Sequence, residues 1–135
     1  MIPAYIQQYG ICSPLGCDTD KSFMQVINGK HGFVKKLIGS GKTPEILGAL
    51  DKATVEELAP LYPSEKYSFF EKMCLQAVQS AVKLSDLDTS SNKCLFLLST
   101  TKGNIRSLSE SSVPQQSLFE SAQRIASDFN NPNRP

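Results

Sequence analysis

The chain lacks a long apolar run, a charge imbalance, a histidine cluster and a dense set of cysteines, and each absence excludes something. No stretch approaches the roughly 20 apolar residues of a membrane span, and the opening Met1-Ile2-Pro3-Ala4-Tyr5 has no basic region leading into an apolar one, which argues against a signal peptide. Fourteen Lys and Arg against 13 Asp and Glu leave a net charge of +1. That is too balanced for a nucleic-acid binder working through a broad basic surface. With a single histidine, His31, no His-based metal set or histidine pair can form, and Cys12, Cys17, Cys74 and Cys94 show no C-x-x-C or Cys/His spacing. Four cysteines are too few for a disulfide scaffold of this length, so reduced thiols in a cytoplasmic protein are the expectation.

What remains is the material of one domain: 135 residues, 40% of them hydrophobic, enough to bury a real core. Residues 4–12, with Tyr5, Ile6, Tyr9 and Ile11, predict a strand, with Gly10 a point of close backbone approach. Ser13-Pro14-Leu15-Gly16 stops it. Asp18, Thr19 and Asp20 offer caps and first-turn charge for a helix through Phe23, Val26 and Ile27, with Gly29 at its left-handed end. Residues 34–63 are read as an irregular insertion, broken by glycine and by Pro44, Pro60 and Pro63; within it Thr54-Val55-Glu56-Glu57 fits a capping box opening a short helix that Pro60 ends.

The clearest helix is predicted over 64–84. Phe70, Met73, Cys74, Ala77, Ala81 and Leu84 fall on one stripe, whose alanines permit a close helix neighbour. Cys94-Leu95-Phe96-Leu97-Leu98 has no alternation and fits a strand buried on both faces, as in parallel sheets. Leu118, Phe119, Ala122, Ile125, Ala126 and Phe129 make a last amphipathic helix, before Asn130-Asn131-Pro132-Asn133-Arg134-Pro135. The expected class is α/β, with an incomplete, mostly parallel sheet. A crossover helix should lead into another parallel strand, so the order strand, helix, helix, strand, helix reads as the front part of a larger unit. A small complete α+β domain is the alternative.

Few residues suggest chemistry. Gly39-Ser40-Gly41-Lys42-Thr43 looks like the tail of a phosphate-binding loop, but Lys36 stands where its first glycine belongs. His31 reads as a loop residue and Cys17 as a buried one. Cys74 and Cys94 read as small hydrophobes. The turn after the apolar strand, Thr100, Thr101, Lys102, Gly103, Asn104 and Ile105, is the candidate for ligand contact, because open α/β sheets bind ligands at the carboxyl ends of their strands. No cofactor or metal set is evident.

Two segments resemble the β-ketoacyl synthases of the thiolase-fold superfamily. Gly10-Ile11-Cys12-Ser13-Pro14-Leu15-Gly16, then Ser22-Phe23 and Asn28-Gly29-Lys30-His31-Gly32-Phe33, resemble the family's opening strand, its Ser/Thr-Pro-Leu-Gly turn, the next helix and a glycine loop in which His31 replaces the usual serine. Phe69 through Leu95-Phe96-Leu97-Leu98-Ser99-Thr100-Thr101-Lys102-Gly103 resembles the second core helix and the strand that ends in a glycine-rich turn. The resemblance implies that residues 1–135 form the N-terminal part of a partial thiolase-like fold. The whole protein would join an acyl thioester to a malonyl group on acyl carrier protein, with loss of carbon dioxide, in fatty-acid or polyketide-type synthesis. It implies a homodimer when complete, and Thr100 to Ile105 as a wall of the acyl pocket. The family's reactive cysteine and two histidines would lie beyond Pro135, so this chain alone is expected to perform no condensation. A non-catalytic partner resembling a chain-length factor, or an unrelated small-molecule-binding α/β domain, are the rivals.

Overall fold

The computed structural model describes residues 3–37, 43–50, 52–63, 66–101, 103–104 and 117–135. Its elements run α1 (Thr19–Ile27), β1 (Phe33–Lys36), β2 (Glu45–Gly48), α2 (Lys52–Leu58), α3 (Phe69–Lys83) and α4 (Leu118–Asp128), a mixed α/β arrangement.

The sheet corrects the expectation of a parallel one. Among the described residues it has two strands, β1 and β2, antiparallel, with Phe33 opposite Gly48 and Lys36 opposite Glu45. It lies inside the stretch expected to be irregular. Residues 4–12 and 94–98, expected as strands, carry no ladder. A strand exists only where a neighbour takes up its N–H and C=O groups in register. The Cys94 carbonyl instead accepts side-chain amide protons from Asn131 (3.1 Å) and Asn133 (2.6 Å).

Residues 94–100 nonetheless keep a two-residue rhythm of exposure. Cys94, Phe96, Leu98 and Thr100 are half-buried, while Leu95, Leu97 and Ser99 are exposed. Phe96 stacks on Phe129 at 5.5 Å between ring centres. One face therefore leans on the helices and the other meets solvent, so this run is not buried on both faces.

The helices follow from their caps. Asp18 accepts the Lys21 N–H and starts α1, and Gly29 closes it at φ +70°. Ser68 and Glu71 form a full capping box at the start of α3, and Ser117 and Glu120 do the same for α4. Thr54 is not a cap: α2 begins at Lys52, and Thr54 is buried inside it.

The core joins Cys17, Leu58, Tyr62, Tyr67, Leu75 and Ile125, with Met73, Cys74, Phe96 and Phe129 packed around it. The most buried face of α3 is Glu71, Lys72 and Leu75 rather than the stripe from Phe70 to Ala81, which is half-buried, while Leu84 is exposed. Gly10 lies where α3 passes: a methyl group there would overlap the Ala77 carbonyl. The close approach expected of Gly10 is present, whereas the neighbour at Ala77 is the segment of Gly10 and not the helix expected against the alanine face. The Phe23, Val26 and Ile27 side chains of α1 are exposed.

Candidate functional site

The turn after residues 94–98 is built around one asparagine. Asn104 is buried, and its side-chain oxygen accepts the Ser68 hydroxyl at 2.5 Å while its amide donates to the Ser121 hydroxyl at 2.6 Å. Ser68 is the N-cap of α3, and Ser121 sits in the first turn of α4. A single side chain thus ties the turn to the starts of two helices. Beside it the Glu71 carboxylate, fully buried, accepts the Ser68 N–H at 2.7 Å and lies 3.7 Å from Arg124. Arg124 also donates to the Lys66 carbonyl at 2.6 Å.

Of the residues expected to touch a ligand, Thr100 accepts the Gly103 N–H at 2.9 Å, Thr101 is exposed, and Gly103 adopts φ +51° beneath the Leu118 side chain. Lys102 and Ile105 lie outside the described residues. The observed role of Asn104 is to fasten the turn. Gly39 to Lys42 also lie outside the described residues. His31 is exposed, 6.1 Å from the Phe33 ring.

An open groove of about 500 Å³ lies at another part of the molecule, where residues 8–9 and 18–20 face α3. Gln8, Tyr9, Asp18, Asp20, Gln76 and Lys83 give it a mixed polar lining. Thr100 to Asn104 do not line it.

Two further arrangements depart from the sequence expectations. The Tyr67 hydroxyl donates to the Asp128 carboxylate, which also takes Lys66 at 2.9 Å, across 61 and 62 positions of chain. Burial, then the hydrogen bond to Asp128, pushes the Tyr67 phenol above its usual value, and burial raises Tyr62. Hydrogen bonds to Tyr67 and Asp128 raise Lys66. At neutral pH the phenols stay protonated and the amine charged, so none of the three is a base and the cluster acts as a fastening.

The second concerns the cysteines. Cys12 and Cys17 are joined as a disulfide, which corrects the expectation of four reduced thiols. The Pro14-Leu15 turn folds the chain back so that Ser13 and Gly16 exchange two backbone hydrogen bonds, of 2.8 and 2.9 Å, and the flanking cysteines meet. Cys74 and Cys94 are free and half-buried. Burial, with the nearby Glu71 charge, pushes the Cys74 thiol up to about 11, so it is protonated at neutral pH and a poor nucleophile. Among the described residues no group of three or more His, Cys, Asp or Glu could hold a metal ion, and no helix is long and apolar enough to cross a membrane.

No protein-family model, curated protein or solved structure matches the chain.

Proposed function

We propose that the chain supplies the N-terminal strands and helices of a β-ketoacyl synthase-like protein of the cytoplasm. In this reading the complete protein condenses an acyl thioester with malonyl-acyl carrier protein, and the 135 residues contribute scaffold. One observation carries it: residues 94–100 are covered on one face only. Phe96 packs against the core and stacks on Phe129, while Leu95 and Leu97 are 58% and 84% exposed. Such a face belongs against a further layer. Two details support the same reading. Gly10 runs tight under α3. The Asn131 and Asn133 amides pin the last residues beside Cys94, as the lead-in to a neighbouring strand.

The chemistry separates the part from the whole. A condensing cysteine must be ionised and reachable. Cys12 and Cys17 are bonded to each other, Cys74 is held protonated, Cys94 is free but half-buried, and a single histidine cannot supply the two the family uses. The purified chain should therefore give no turnover of acyl thioester with malonyl-carrier protein, and its source cells should contain a polypeptide substantially heavier than 14.8 kDa. Turnover by the chain itself, or a native species of 14.8 kDa, refutes the reading. In the complete enzyme, Thr101 replaced by a bulky residue should change acyl-chain preference, since the turn borders the acyl pocket in this reading.

A further inference from the structure

The Cys12–Cys17 bond joins the two walls of the groove. Gln8 and Tyr9 on one wall lie just before Cys12, and Asp18, Thr19 and Asp20 on the other lie just after Cys17. The walls are otherwise linked by the Ile11 N–H donating to the Thr19 hydroxyl at 3.2 Å. We propose that Cys12 and Cys17 form a reversible thiol–disulfide exchange site, entered at Cys12 by a small disulfide such as oxidised glutathione, and that its state sets how firmly residues 8–12 are held as a wall of the groove.

Three observations carry this. First, the sulfurs differ in access. Cys17 is 4% exposed in the core, with its carbonyl accepting the Gln76 amide at 3.1 Å, whereas Cys12 is only half-buried. An external sulfur reaches Cys12 first. Second, the turn does not depend on the bond. Two backbone hydrogen bonds close Ser13 to Gly16, and the Ser22 hydroxyl donates to the Gly16 carbonyl at 3.1 Å. The sulfurs are five positions apart, and so short a ring constrains the unfolded chain less than a long one. The reduced protein thus keeps its fold and holds both thiols at reacting distance. Third, Cys74 is half-buried and protonated, which removes it as a competitor for the exchange; Cys94, the other free thiol, is half-buried like Cys12 and lacks a cysteine five positions away to close an internal bond, so glutathione on it is read on its own peptide.

The electron balance is that of ordinary exchange. The Cys12 thiolate attacks one sulfur of oxidised glutathione, forming a mixed disulfide and releasing one glutathione thiolate. The Cys17 thiolate then attacks the Cys12 sulfur, forming the internal bond and releasing the second. Each released thiolate takes up the proton that a cysteine gave to solvent. Two protein thiols are oxidised, and one glutathione disulfide is reduced to two thiols.

The test equilibrates the folded chain in graded mixtures of reduced and oxidised glutathione, quenches with acid, alkylates, and reads peptides by mass. Residues 12–17 should carry two alkyl groups under reducing conditions and none, with the mass of the internal disulfide, under oxidising ones. Cys17→Ser should stop at glutathione on Cys12, while Cys12→Ser should leave Cys17 unmodified. Amide hydrogen exchange at Ile11, whose N–H is held by the Thr19 hydroxyl, should quicken by about tenfold on reduction, with α3 unchanged. A bond that glutathione cannot open without unfolding, mixed disulfide on Cys17 in place of Cys12, or identical exchange in both states overturns the proposal. Should the variants fail to fold, the wild-type titration and exchange decide it alone.

Discussion

Replacing Asn104 by alanine tests whether one buried amide holds the turn to both helices. The variant loses the bonds to Ser68 and Ser121. Each is worth about 1 kcal/mol net, and leaving a buried partner unsatisfied costs about 1–3 kcal/mol more. Ser68 keeps its bond from the Glu71 N–H. Ser121 is fully buried, so its hydroxyl bears most of the penalty. The expected loss is about 3–5 kcal/mol. In urea, with a slope of about 2 kcal/mol per molar, the midpoint by circular dichroism falls by about 1.5–2.5 M. Asn104→Ala/Ser121→Ala should cost less than the two single changes added, because both remove the same bond. Exposed Thr101→Ala should stay within about 0.5 kcal/mol of wild type. An Asn104→Ala midpoint matching that of Thr101→Ala would refute the claim that the network fastens the turn.

Other expectations are as direct. Gly10→Ala places a methyl group against the α3 backbone, a strain of about 1–3 kcal/mol; limited proteolysis should then cut residues 3–12 sooner than α3, and unchanged cutting would count against the packing. The Cys74 thiol, near 11 against an ordinary 9.0, should react with maleimide about a hundredfold more slowly than an exposed thiol at pH 7.5, and denaturant should abolish the difference. The Tyr67 phenol has a folded pKa above its unfolded value of 10.0. Its contribution is therefore complete below pH 10 and lost as pH climbs through the folded value. Tyr67→Phe should flatten the fall of stability above pH 10, measured by urea titrations at pH 9 and 11; an unaltered fall would show that the phenol does not carry it.

What the sequence made legible was local. Asp18 and Gly29 bounded α1 because a cap and a left-handed glycine act within one turn. The apolar spacing found α4, whose buried Ala122, Ile125 and Ala126 lie on that spacing. The apolar stripe found α3 but set its start at Ser64, and the capping boxes Ser68-Phe69-Phe70-Glu71 and Ser117-Leu118-Phe119-Glu120 that fix the observed starts went unread. Thr54-Val55-Glu56-Glu57 has the same letters, but there the box loses to a helix that begins earlier, since a cap pattern states what a side chain can do and not what the backbone around it does. Sheet pairing was illegible for a different reason. β1 and β2 match because Val34 and Leu47, and Lys35 and Ile46, stand opposite each other, and register is a property of two segments at once.

The candidate turn shows the same division. Its hydroxyls and glycine were visible, but the residue that matters to its position was not. Asn104 is one polar letter among several, and its importance arises from Ser68 and Ser121, at 36 and 17 positions' distance. Asp128 is likewise ordinary until Lys66 and Tyr67 arrive beside it. Buried polar groups are decided by partners, and partners are decided by the fold. The disulfide lies between these cases. Pro14 and Gly16 announce a turn, a turn brings its flanks together, and the flanks are Cys12 and Cys17, so their meeting follows from five positions of chain. Whether they bond depends on the redox environment, which no spacing encodes. In the proposed exchange the groove answers to the redox state around it, and that is why the glutathione titration bears on more than the cysteines.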